Sequence, residues 1–97
     1  MNPKRNDVIK IITANKNDLA IRYSISRIGI FGSVARNQTG ENSDVDIVVE
    51  MAPDLFKRSA LRLELENLLH HSVDVVRYSK RMNPFLKQRI DREAVYV

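Results

Sequence analysis

Three aspartates and a glycine–serine pair carry the chemistry available to this chain. Asp44 and Asp46 stand two residues apart at the head of an apolar run, Asp44-Val45-Asp46-Ile47-Val48-Val49. On a strand, side chains alternate between faces. Both carboxylates then point one way, ~6–7 Å apart, while Val45, Ile47 and Val49 enter a core on the other face. Two carboxylates on one face repel unless a cation or a proton intervenes. A hard, oxygen-seeking ion such as Mg²⁺ answers that repulsion, and it usually brings substrate phosphates with it. Gly32-Ser33 closes the preceding apolar run, Ile28 to Phe31. A glycine there allows close backbone approach, and the N–H groups of a starting helix attract phosphate. The local chemistry points to a metal–triphosphate site.

A third carboxylate, Asp74, lies within Val73-Asp74-Val75-Val76 and faces away from Val73 and Val75. If its strand neighbours the Asp44–Asp46 strand, the three acids can hold one or two Mg²⁺ ions for phosphoryl or nucleotidyl transfer. Asp74 is then the candidate to bind the activating metal or to act as base for the nucleophile. The alternative is three unrelated aspartates at strand ends. An isolated Asp-x-Asp is a weak signal; Gly-Ser before it and a lone Asp inside a valine strand after it make it more specific.

The elements that must position these groups follow from periodicity and turn chemistry. Asn2-Pro3 resembles a helix start, followed by an apolar stripe of Val8, Ile11, Ile12, Leu19 and Ile21, with a weak point at Asn15-Lys16-Asn17-Asp18. Ile25 to Phe31 reads as a first strand. Ser33 to Arg36 forms one or two helical turns, and residues 37–43 form a polar loop. Asp44 to Met51 is the second strand, ended by Pro53. Asp54 to Leu69 is a helix whose core face takes Leu55, Phe56, Leu61, Leu65, Leu68 and Leu69. Residues 73–76 are a third strand. Asn83-Pro84 caps and opens a helix to about Arg92, and residues 94–97 form a terminal strand or tail. This order predicts an α/β (α+β) domain with a small mixed β-sheet flanked by helices.

The 97 residues suit one domain, residues 1–97. With no cysteine, neither a disulfide framework nor a thiolate metal site is available, which is compatible with a cytoplasmic location. No signal-peptide core and no membrane-length apolar run is present, so no membrane partner is expected. The net charge of +4 is unevenly spread. Residues 41–54 hold five acids and no base; residues 77–92 hold six bases and one acid. That pairing fits a metal-plus-phosphate ligand or a polyanionic partner, or simply a solvated surface of mixed charge.

Gly32-Ser33-Val34-Ala35-Arg36 followed by Ser43-Asp44-Val45-Asp46 resembles the Gly-Ser-x-Ala-Arg-Gly … Ser-Asp-x-Asp signature of the minimal nucleotidyltransferases, within the DNA polymerase beta-like superfamily. The resemblance continues through Ser72-Val73-Asp74-Val75-Val76, Asn83-Pro84-Phe85-Leu86-Lys87 and the ending from Ile90 to Val97. It implies the polymerase beta-like fold and Mg²⁺-dependent transfer of a nucleoside monophosphate, AMP from ATP, with release of pyrophosphate. By position it makes Asp44, Asp46 and Asp74 the catalytic and metal-binding triad, and it brings Gly32 and Ser33 to the triphosphate. Many such proteins look like antitoxins whose partner is an all-helical HEPN ribonuclease toxin, inactivated by attachment of AMP to a tyrosine. One position departs from the pattern: Asn37 stands where the family usually has glycine. Asn tolerates a left-handed backbone, so the turn is expected to survive.

Arg36 is a further nucleotide-binding candidate, with pairing to an acid of the polar loop as the alternative. His70-His71 reads as a helix end rather than a metal site, since adjacent histidines diverge and no third ligand accompanies them. Tyr23, Tyr78 and Tyr96 read as packing residues. Ser33 has no base partner that would make it a nucleophile. Three functions follow: a protein nucleotidyltransferase, a non-catalytic antitoxin that binds its partner, or nucleotidyl transfer to RNA or a small molecule. The first is favoured because so short a chain is expected to lack extra domains for gripping nucleic acid.

Overall fold

The sheet is covered on both faces, so its two central strands are buried in continuous runs, Ile28 to Phe31 and Ile47 to Val49. A computed structural model describes residues 2–40 and 43–97. Its elements are α1 (Arg5–Tyr23), β1 (Arg27–Phe31), α2 (Gly32–Ala35), β2 (Val45–Glu50), α3 (Leu55–Leu69), β3 (Val73–Arg77), α4 (Pro84–Glu93) and β4 (Val95–Tyr96). The strands form one mixed sheet in the order β3-β2-β1-β4. β1 runs antiparallel to both β2 and β4, whereas β2 and β3 are parallel. The fold class expected from the sequence is therefore observed.

Each sheet face buries its own core. Val45, Ile47, Val49, Val73 and Val75 pack beneath α1 and α3 with Val8, Ile12, Leu19, Leu61, Leu65 and Leu69. On the other face, Phe31 and Val48 close against Ile90 of α4, with Val76, Met82, Leu86 and Tyr96 around them. β4 completes this side by lying tight on β1: a Cβ at Gly29 would stand 2.7 Å from the Val95 carbonyl oxygen.

Several local expectations need correction. Asn2 does not cap α1. The N-cap is Lys4, without a side-chain cap, while Pro3 is buried and its carbonyl accepts the Thr39 hydroxyl at 3.0 Å. The polar stretch at Asn15–Asp18 leaves α1 unbroken. Asn15 donates to the Ile11 carbonyl, and Asp18 pairs with Arg22, which also engages Glu64 of α3. Ile21 is 81% exposed because it sits about 200° around the helix from buried Leu19. Leu55 and Phe56 are likewise outside the core, at 65% and 87% exposure. The stripe Leu61–Leu65–Leu69 runs at four-residue spacing; Phe56 falls at least about 140° off it, and Leu55 is the first residue of the helix, ahead of the turns that pack. Asp54 caps α3 by accepting from the Lys57 N–H, and Asn83 caps α4 by accepting from Phe85 and Leu86, with Pro84 in the first turn as expected.

Leu65→Ala is expected to lower unfolding free energy by about 2–5 kcal/mol, the usual cost of a truncated core leucine. Phe56→Ser should change it by less than about 0.5 kcal/mol. Urea denaturation monitored by circular dichroism checks both; equal losses would contradict the assigned face of α3.

Candidate active site

β2 and β3 pair in parallel with Asp46 directly opposite Asp74. Paired residues on neighbouring strands share a face, and adjacent strands lie ~4.8 Å apart. Asp44 stands just before β2, close enough for its charge to act on Asp46. The structure thus brings Asp46 and Asp74 together, with Asp44 near Asp46. This is the α4 side of the sheet, and register explains why it is open there. The row of Gly29, Val48 and Val76 lies under α4; the next row, Phe31, Asp46 and Asp74, lies at the margin of that cover. Asp44 and Asp74 are exposed and Asp46 is half-buried.

Burial and the nearby Asp74 charge push the Asp46 carboxyl above its ordinary value of 3.8; Asp44 adds to this, and Arg89 and Arg36 offset it in part. A carboxyl raised in the folded state stabilises the fold fully below its unfolded value, and that contribution is lost as pH rises through the folded value. At neutral pH the ionised Asp46 carboxylate therefore works against folding.

Gly32 makes room for this cluster. It follows β1 directly and has φ +72°, where glycine alone is unstrained. A Cβ on Gly32 would overlap Oδ2 of Asp46 and stand 3.2 Å from its Cγ. The turn continues through Ser33 to Asn37. Asn37 adopts φ +58°, the left-handed geometry expected of the residue standing in for glycine. Its N–H donates to the Val34 carbonyl, and the Gln38 N–H to that of Ser33.

Arg36 projects from the end of α2, but its described partners differ from the expected acid of the polar loop. That loop's acid, Glu41, lies outside the described residues. Nη1 of Arg36 donates to both carboxylate oxygens of Glu93, at 3.0 and 2.9 Å, and Nε donates to Gln38. Glu93 also accepts from the Gly32 N–H at 3.3 Å, and Arg89 of α4 stands 4.0 Å away. Glu93 and Arg89 were not singled out by motif. Their signal was the four-residue spacing on α4 together with a terminal strand. Once β4 pairs with β1, the end of α4 must lie beside the Gly32 turn.

Other candidates stay apart from the site. His70 ends α3 in a left-handed conformation, donating its N–H to the Glu66 carbonyl, so the helix-end reading holds. A cavity of about 900 Å³ lies between the start of α1 and the end of α3, lined by Pro3, Val8, Ile11, Leu69, His70 and His71 among others, and includes none of the three aspartates. Tyr23 and Tyr78 donate to Glu64 and Asp91.

Among the described residues, no three acidic or imidazole groups converge as a finished metal cage. The donor set nevertheless fits a hard cation. It is all oxygen, and none of the three aspartates accepts a hydrogen bond or ion pair from a described residue. Mg²⁺ requires only one or two protein carboxylates when substrate phosphates complete its shell.

The chain is a mixed α/β domain with an acidic cluster beside a glycine turn. Residues 6–97 match the family Polymerase beta, Nucleotidyltransferase, and the chain belongs to that family. It is 41% identical over 93 residues to the protein adenylyltransferase MntA of Thermococcus cleftensis, spanning 94% of this chain and 93% of that one. Among solved structures, it is similar to a toxin–antitoxin with AMP-PNP at a TM-score of 0.67 and 27% identity, covering 95% of this chain and 70% of that one. The toxin–antitoxin MntA-HepT gives 0.59 and 26%, covering 95% and 67%.

Asp46→Asn is expected to raise the thermal midpoint at neutral pH in chelator, because it removes one charge from a repelling group. Gly32→Ala should lower it, by about 1–3 kcal/mol in stability, through left-handed strain and the clash with Asp46. Differential scanning calorimetry checks both. A destabilised Asp46→Asn protein would contradict the repulsion described.

Proposed function

We propose that this chain transfers AMP from ATP, with Mg²⁺, to a hydroxyl side chain of a HEPN-type toxin partner, neutralising it in the cytoplasm. The observation that carries this reading is the in-register pairing of Asp46 with Asp74, beside Asp44 and the Gly32 turn. The protein adenylyltransferase name of the Thermococcus relative supports the choice of AMP and of a protein acceptor. The toxin–antitoxin likenesses, one of them with AMP-PNP, support the nucleotide and the partner.

In this reading Asp44, Asp46 and Asp74 hold Mg²⁺, which supplies charge neutralisation at the phosphates and lowers the pKa of an attacking oxygen. The Gly32–Ser33 turn and Arg36 receive the triphosphate, setting the α-phosphorus in line with the incoming hydroxyl. The acceptor oxygen forms a bond to the α-phosphorus as the bond to the bridging oxygen breaks. Pyrophosphate leaves, and the hydroxyl proton passes toward Asp74. Tyrosine is the acceptor that the family resemblance implies.

The test is intact-mass spectrometry of the protein with Mg²⁺, ATP and a candidate HEPN partner. The partner should gain one or more AMP units with wild type and none with Asp44→Asn, for which a loss of at least about 10²–10³-fold in rate is expected. A stable complex with no mass gain under any nucleoside triphosphate would replace this reading with a binding antitoxin. Transfer to RNA alone would replace the acceptor.

A further inference from the structure

Glu93 is the one acidic side chain whose described partners all belong to the site. It is 16% exposed, and it comes from the last residue of α4, far along the chain from the turn it meets. Its carboxylate takes both Nη1 contacts of Arg36, accepts the Gly32 N–H and draws Arg89 to 4.0 Å. A largely buried carboxylate is costly unless fully paired, and charge-assisted bonds of this kind fix the partner's geometry. Arg36 and Arg89 are also close enough for their charges to act on Asp46, yet neither bonds to any of the three aspartates.

Resting on the nucleotide reading above, we propose that Glu93 is a positioning residue. It anchors Arg36 and the Gly32 turn, keeping the guanidinium off Asp46 and Asp74. The carboxylate face then stays open to a divalent ion, and Arg36 is held ready for a triphosphate. Without Glu93, Arg36 is free to turn toward Asp46, on which its charge already acts, and a guanidinium–carboxylate pair there would compete with the ion. A merely structural tie between α4 and α2 would set stability alone.

The test is calorimetric titration of the intact protein with Mn²⁺ and an ATP analogue carrying a methylene between its α- and β-phosphates. Glu93→Ala is expected to weaken binding about tenfold or more, equivalent to about 1.4 kcal/mol. Glu93→Gln keeps the shape and the acceptor oxygen, so it should recover part of that loss. In an Arg36→Ala background, Glu93→Ala should cost much less, since its partner is gone. If Glu93→Ala does not fold, judged by circular dichroism, Glu93→Gln and the cycle with Arg36→Ala carry the test. Wild-type affinity or tighter in the folded Glu93 variants, with only the thermal midpoint lowered, would overturn the positioning role alone. No binding by wild type would overturn the nucleotide reading and this inference with it.

Discussion

The parallel register of β2 against β3 is the constraint on which the rest of the molecule depends. Sliding β3 by one residue would turn Asp74 toward α1 and α3 and bring Val73 and Val75 out to solvent. The valines that flank the aspartates hold the register, because they are buried only when the carboxylates face the other way. Core packing thus sets the site geometry. The free energy that seats Val45, Ile47, Val73 and Val75 also holds three like charges near one another.

Everything beside that pair accommodates the charge. Gly32 leaves the space that Asp46 occupies, and its positive φ turns the chain from β1 into α2 within a single residue. α4 covers Val48 with Ile90 but stops short of the carboxylates, so the cluster is walled on one side and open on the other. The last turns of α4 bring Arg89 and Glu93, which place two cations near three anions without joining them. Like charges so placed repel, as the raised Asp46 carboxyl reflects.

Much of this was legible in the chain. Alternation alone put Asp44, Asp46 and Asp74 outward and their neighbours inward, and turn chemistry placed Asn83-Pro84 and the left-handed Asn37. The misplacements share a cause. Leu55, Phe56 and Ile21 were grouped by their apolar character, yet Phe56 and Ile21 sit off the buried stripes by angle and Leu55 sits at the exposed first position of α3. Asn2-Pro3 has the composition of a cap, but Thr39 from a distant loop claims the Pro3 carbonyl. Glu93 and Arg89 could not be assigned locally, because their position follows from β4 pairing with β1 across the length of the chain.

The most direct measurement is anomalous diffraction from crystals grown with Mn²⁺ and the methylene-bridged ATP analogue. One or two manganese peaks within about 2.0–2.3 Å of carboxylate oxygens of Asp44, Asp46 and Asp74, with the triphosphate against the Gly32 turn, are expected. Manganese and nucleotide bound elsewhere, with the three carboxylates left unligated, would contradict the central assignment.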